Sequence, residues 1–156
     1  MSGQPGRAMG LDVGERRIGV AIADELGSIA SPLTIVRRRS GDLAELRDLA
    51  HERGVDRVVV GLPTGLSGRE GPQAAVVRAF ADELDGAVGP GVEVVFWDER
   101  LTTAVAERML REGGRRRGKG KPEVDAVAAA VILQGYLDAC RIRGARRREH
   151  DRANAE

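Results

Sequence analysis

Apolar residues recur along the chain in two rhythms, one of period two and one of period 3.6, with glycine and proline between the stretches. From Leu11 to Asp24 they are dense and β-branched around Gly14 and Gly19, with a polar turn at Glu15–Arg17, which predicts a hairpin. A third strand is expected near Ile29–Val36, at a sheet edge because Pro32 has no N–H for a ladder. Leu43, Leu46 and Ala50 share a helical face, so a helix is predicted from about Leu43 to Arg53. Asp42 and Glu45 stand at capping-box spacing before it, and Gly54 closes it. Arg57–Leu62 is almost continuously apolar, as a parallel strand covered on both faces should be.

The loop Pro63–Gly71 leads into a second helix, with Val77, Phe80, Ala81 and Leu84 on one face and Gly86 as its expected end. Val92–Trp97 is the fifth strand. A short helix from about Thr103 to Arg111 and a basic loop, Gly113–Lys121, come next. The last helix starts at Pro122, a favoured first helical position, and is expected to end near Arg143. Its stretch Ala126–Leu133 is apolar all round, so it packs deeply. This order predicts an α/β domain over residues 9–143: a five-stranded mixed sheet, an antiparallel hairpin unit followed by parallel strands, with helices on both faces. Residues 1–8 read as a disordered lead-in and 144–156 as a basic, disordered tail.

Composition narrows the chemistry. With 42% hydrophobic and 31% charged residues among 156, the chain can build one real core. One Trp, one Tyr and two Phe make that core aliphatic and argue against a base-stacking single-strand binder. Cys140 alone excludes an intrachain disulfide or a cysteine-rich zinc site, and His51 and His150 lie far from any acidic cluster. No apolar run approaches the ~20 residues that span a bilayer, so no membrane role and a cytoplasmic location are expected. Net charge is only +1, yet Arg115, Arg116, Arg117, Lys119 and Lys121 crowd the loop before Asp125. Arg141, Arg143, Arg146, Arg147, Arg148 and Arg152 thicken the C-terminus.

Carboxylates at the ends of distant elements are the candidate chemistry. Asp12 interrupts an apolar strand beside Gly14, Asp98 and Glu99 end another, and Asp125 stands in the first turn of the last helix. Each has an ordinary explanation: strand alternation toward solvent, a charge before the helix that follows, and the helix dipole. Together they suggest a divalent-metal site, since hard cations take oxygen ligands and phosphoryl chemistry needs several acids in one cleft. Adjacent strand residues point to opposite faces, so Glu99 is favoured as the ligand with Asp98 as the alternate.

The runs DVGERRIGVAIAD, VVVGLPTGLSG, FADEL, VVFWDERLTT and KPEVDAVAAAVIL resemble, in that order, the bacterial YqgF-type (RuvX) family of pre-16S rRNA nucleases and Holliday-junction-resolvase-like proteins. The resemblance spans Met9 to Cys140. It implies an RNase H-like fold and a metal-dependent endonuclease, with Asp12, Glu99 and Asp125 as the matching acids. Many RNase H-like nucleases carry a further acid where this chain has Gly61-Leu62-Pro63, which leaves the number of metals open.

The expected cofactor is Mg²⁺, with Mn²⁺ as a substitute. The expected nucleic-acid contacts are Arg16, Arg17, Arg100, Lys119 and Lys121. The expected reaction is processing of the 5′ end of pre-16S rRNA in ribosome biogenesis, by a monomer or homodimer. Resolution of branched DNA by a dimer, and a non-catalytic nucleic-acid-binding module, are the alternatives. The opening hairpin also resembles the phosphate-binding hairpin of actin-like kinases, but those need two such domains.

Overall fold

The computed structural model describes residues 6–64, 69–101 and 121–155, the side chains of 121–123 excepted. Strands β1 (Arg7–Val13), β2 (Arg17–Ala23) and β3 (Ala30–Arg37) lead to helix α1 (Asp42–Glu52). Then come β4 (Val55–Leu62), α2 (Pro72–Val88), β5 (Glu93–Asp98) and a single 3-10 turn, Glu99–Leu101. Helix α3 (Lys121–Ala155) completes the described chain. The sheet order is β3-β2-β1-β4-β5. The first three strands are antiparallel, whereas β1, β4 and β5 run parallel.

Alternation along each strand sorts side chains between two cores. Met9, Leu11 and Val13 of β1, with Ile18, Val20, Val58 and Val60, meet Leu46 and Ala50 of α1 and Val77, Phe80 and Leu84 of α2. Full burial of one such aliphatic side chain is worth about 1.5–3 kcal/mol. The opposite face carries small residues, Ala8, Ala21, Ala23 and Val59, against Ala129, Ala130, Leu133 and Leu137 of α3. Those small residues let α3 settle close: a Cβ on Gly10 would lie 2.7 Å from the Leu133 Cβ. Gln134 pins the helix to the β2–β3 turn, accepting from the Ala30 N–H at 2.9 Å and donating to the Ser28 carbonyl at 3.0 Å.

Four boundaries depart from expectation. Arg7 and Ala8, expected in a disordered lead-in, open β1, because they pair with Val55 and Arg57 of β4. Asp42 is not a cap: the N-cap is Gly41 at φ 96°, and the Asp42 carboxylate instead accepts from Arg38 Nε at 3.2 Å. Helix α2 runs through Gly86 to Val88, because one exposed glycine costs only about 1 kcal/mol against the burial of Leu84 and Val88. Helix α3 passes Arg143 and continues to Ala155, since the alanine, arginine and glutamate residues of the expected tail are good helix formers. The predicted helix Thr103–Arg111 and nearly all of the loop Gly113–Lys121 lie outside the described residues.

Candidate functional site

Asp12, one residue from the end of β1, is on the strand face that looks toward α3, and it pairs in register with Gly19 of β2. Its carboxyl is pushed up to about 6, first by burial and then by the charges of Glu99 and Asp125. Residues far apart in sequence thus bring three carboxylates to one end of the sheet, the carboxyl end of β1, where α/β folds build their sites. An acid in such a place is costly to ionise unless a cation joins it.

Glu99 is half-buried, in the turn that follows β5. Its carboxyl is raised by burial and by the neighbouring charge of Asp98. A Cβ on Gly61 would lie 3.0 Å from a Glu99 carboxylate oxygen, so the bare backbone of β4 makes room for that side chain. Asp98 turns elsewhere. It accepts from the Thr64 hydroxyl at 2.6 Å and from the Arg100 backbone N–H at 2.9 Å. The Arg100 guanidinium adds Nη2 at 2.8 Å. Bonds from the Arg100 side chain and from Thr64 hold Asp98 well below the usual carboxylate range.

Asp125 projects from the first turns of α3, and its carboxylate lies 3.3 Å from Arg17 Nε. Here helix and sheet touch backbone to backbone, because a Cβ on Gly19 would lie 1.9 Å from the Asp125 carbonyl oxygen. Of the predicted basic contacts, Arg17 is therefore at the acidic cluster, Arg16 is exposed in the adjoining turn, and Arg100 is committed to Asp98. Lys119 and the side chain of Lys121 lie outside the described residues.

Sequence reasoning passed over Thr64, which the VVVGLPTGLSG run contains, and Arg37, the first of three consecutive arginines. It also passed over the contact role of Gly19 and Gly61. Only their strand phase, facing α3 like Asp12, hints at it.

The chemistry of the donor set suits a divalent cation: the Asp12 carboxyl is raised by the charges of Glu99 and Asp125, and bare glycine backbone lies beside the latter two. Among the described residues, no three acidic, histidine or cysteine side chains stand close enough to share an ion as placed. The Asp125 carboxylate is turned to Arg17.

Comparison with known proteins adds a family and a fold. Residues 6–139 match the family model described as RuvX, Holliday junction resolvase. A Symbiobacterium thermophilum protein named as a candidate pre-16S rRNA nuclease is 52% identical over 135 residues, covering 85% of this chain and 92% of its own. One from a Nocardioides species, with the same name, is 52% identical over 145 residues, covering 90% and 92%. Among solved structures, Thermus thermophilus RuvC in complex with a Holliday junction substrate superposes with a TM-score of 0.54 at 18% identity, over 86% of this chain and 96% of that one. The fowlpox virus resolvase, in complex with Holliday junction DNA, gives 0.53 at 12% identity over 86% and 98%. These two show that the fold is that of RNase H-like resolvases.

Proposed function

The chain belongs to the RuvX family, and on that premise we propose that it is a divalent-metal-dependent nuclease acting on precursor ribosomal RNA, where it processes the 5′ end of pre-16S rRNA. The observation that carries this reading is the approach of three acids at the carboxyl end of β1: Gly19, the register partner of Asp12, lies against the Asp125 backbone, and Gly61 of β4 lies beside the Glu99 carboxylate. The names of the two relatives described above point to the same substrate.

Asp12, Glu99 and Asp125 would hold Mg²⁺ or Mn²⁺, with Asp98 kept out of the set by Thr64 and Arg100. A divalent cation bound there supplies Lewis acidity, making water a better nucleophile and offsetting charge on the phosphate. The net step is hydrolysis: the water oxygen bonds to phosphorus, the bond from phosphorus to the leaving oxygen breaks, and that oxygen takes a proton. Arg17, beside Asp125, would turn toward a non-bridging phosphate oxygen and stabilise developing charge. Arg16, Lys119 and Lys121 supply backbone contacts that carry affinity without reading sequence.

The test is cleavage of a precursor 16S transcript by the purified chain with Mg²⁺ or Mn²⁺. Intact substrate under both ions, with a folded protein, overturns the reading. The family's description favours a second substrate, a four-way DNA junction. Symmetrical cuts there need two sites related by a two-fold axis. Junction cleavage together with a dimer in sedimentation would support that substrate.

Metal binding gives an independent measure. Mg²⁺ or Mn²⁺ at a hundred times its dissociation constant should add about 2.7 kcal/mol to unfolding stability. In Asp125→Asn most of that gain should disappear. Calorimetric titration with no heat of binding to the parent protein would favour a module that binds nucleic acid without cutting it.

A further inference from the structure

Beside the acidic cluster, between the β1–β2 turn and the edge strand β3, lies a cavity of about 360 Å³ walled among the described residues by Arg16, Arg17, Ile35 and Arg37. Arg17 and Arg37 are directly opposite each other across the antiparallel β2–β3 pair, so both side chains rise from the same face. Gly19 and Ile35 form the next pair on that face. Like charges placed directly opposite on neighbouring strands repel and cost stability.

Arg38, Arg39, Arg47, Arg57 and Arg78 each meet a carboxylate. No carboxylate is among the described residues that wall the cavity; Asp125, beside it, is engaged by Arg17 at 3.3 Å. The guanidinium groups of Arg16 and Arg37 have no acidic partner among the described residues.

Three guanidinium groups around a concave site, two of them without an acidic partner among the described residues, suit a phosphate, which accepts forked hydrogen bonds. We propose that this cavity seats a backbone phosphate of the nucleic acid next to the one that is cut, with Arg37 as its anchor on the edge strand. The inference rests on the nuclease reading for its substrate class. Arg17, shared between Asp125 and the cavity, sets the seat directly against the acids. A strand laid from the acids toward β3 thus passes from the cleavage position to the seat. Position along the backbone, rather than base identity, is what such a seat would recognise.

The experiment uses the full chain carrying Asp12→Asn, so that substrate stays intact. Its affinity for an RNA stem with single-stranded flanks, and for a four-way DNA junction, is measured at several KCl concentrations. Adding Arg37→Ala should weaken binding about tenfold and reduce the slope of log affinity against log salt by roughly 0.7 to 0.9, the value of one phosphate contact. Whichever probe responds identifies the backbone recognised. Arg37→Lys should restore part of the affinity. Arg47→Ala, on α1 and paired with Asp48, should change neither quantity.

Because Arg37 is exposed and opposed by Arg17, Arg37→Ala should leave the thermal midpoint unchanged or raise it. Unaltered affinity and slope on both probes, in a folded Arg37→Ala protein, overturn the phosphate seat. Cleavage by the otherwise native chain is scored separately. Cutting with an unaltered slope removes the seat alone, and an altered slope without cutting removes the nuclease reading alone.

Discussion

Asp12→Asn is expected to abolish cleavage and, in the absence of divalent metal, to make the protein more stable. The first effect follows from removing the central acid of the cluster. Losing several kcal/mol of charge stabilisation slows a reaction by on the order of 10³-fold or more. The second follows from linkage. The Asp12 carboxyl sits at about 6 in the fold against an ordinary value of 3.8, so its protonated form is favoured by the folded state. That preference is worth about 3 kcal/mol.

The contribution is present in full below about pH 4 and is lost as pH rises through 6, because the ionised group is then buried beside two other acids. Asparagine carries no such penalty. The variant should therefore exceed the parent by about 3 kcal/mol above pH 7, with the gap closing below pH 4. Mg²⁺ should narrow the gap by stabilising the parent. Urea melts between pH 4 and 8 measure it directly. An Asn variant that still cuts, or that is less stable than the parent at pH 7 without metal, would break the link between this carboxylate and the chemistry.

Gly19→Ala should be among the most damaging single substitutions in the chain. The added carbon would fall 1.9 Å from the Asp125 carbonyl oxygen and 2.3 Å from its carbon, and both are backbone atoms. A side chain in the way can rotate aside, whereas a helix backbone must lift as a unit. We expect a loss of at least about 3 kcal/mol, at the upper end for overpacking. Cleavage should fall with it, because Asp125 travels with the displaced helix.

Gly61→Ala should be milder. Its carbon would meet the Ile132 Cδ1 at 2.5 Å and a Glu99 carboxylate oxygen at 3.0 Å, the movable ends of two side chains. It should impair cleavage more than stability, by pushing Glu99 aside. Equal stability of Gly19→Ala and the parent in urea would mean that α3 does not sit where the acids require it.

Much of the fold was legible because its signals are local and periodic. The run of alternating residues around Gly19 produced β1 and β2, and Pro32 marked β3 as an edge, where a missing N–H costs nothing. Phe80 and Leu84 at helical spacing lie buried as expected. Helix ends were less legible. Gly86 has the composition of a stop signal, yet tertiary burial of Val88 carries α2 past it.

By itself, the order of apolar rhythms and turn residues determined the five strands, the helices α1, α2 and α3 and which acids stand near the end of an element, because backbone periodicity and turn chemistry act over a few residues. Only the tertiary structure decided that Asp98 binds Thr64 and Arg100 while the Glu99 charge reaches Asp12, and that Arg17 stands opposite Arg37. Those outcomes depend on register across strands and on the close approach of α3 to Gly19. Both arise from packing between segments far apart in the chain, and no short-range pattern encodes that distance.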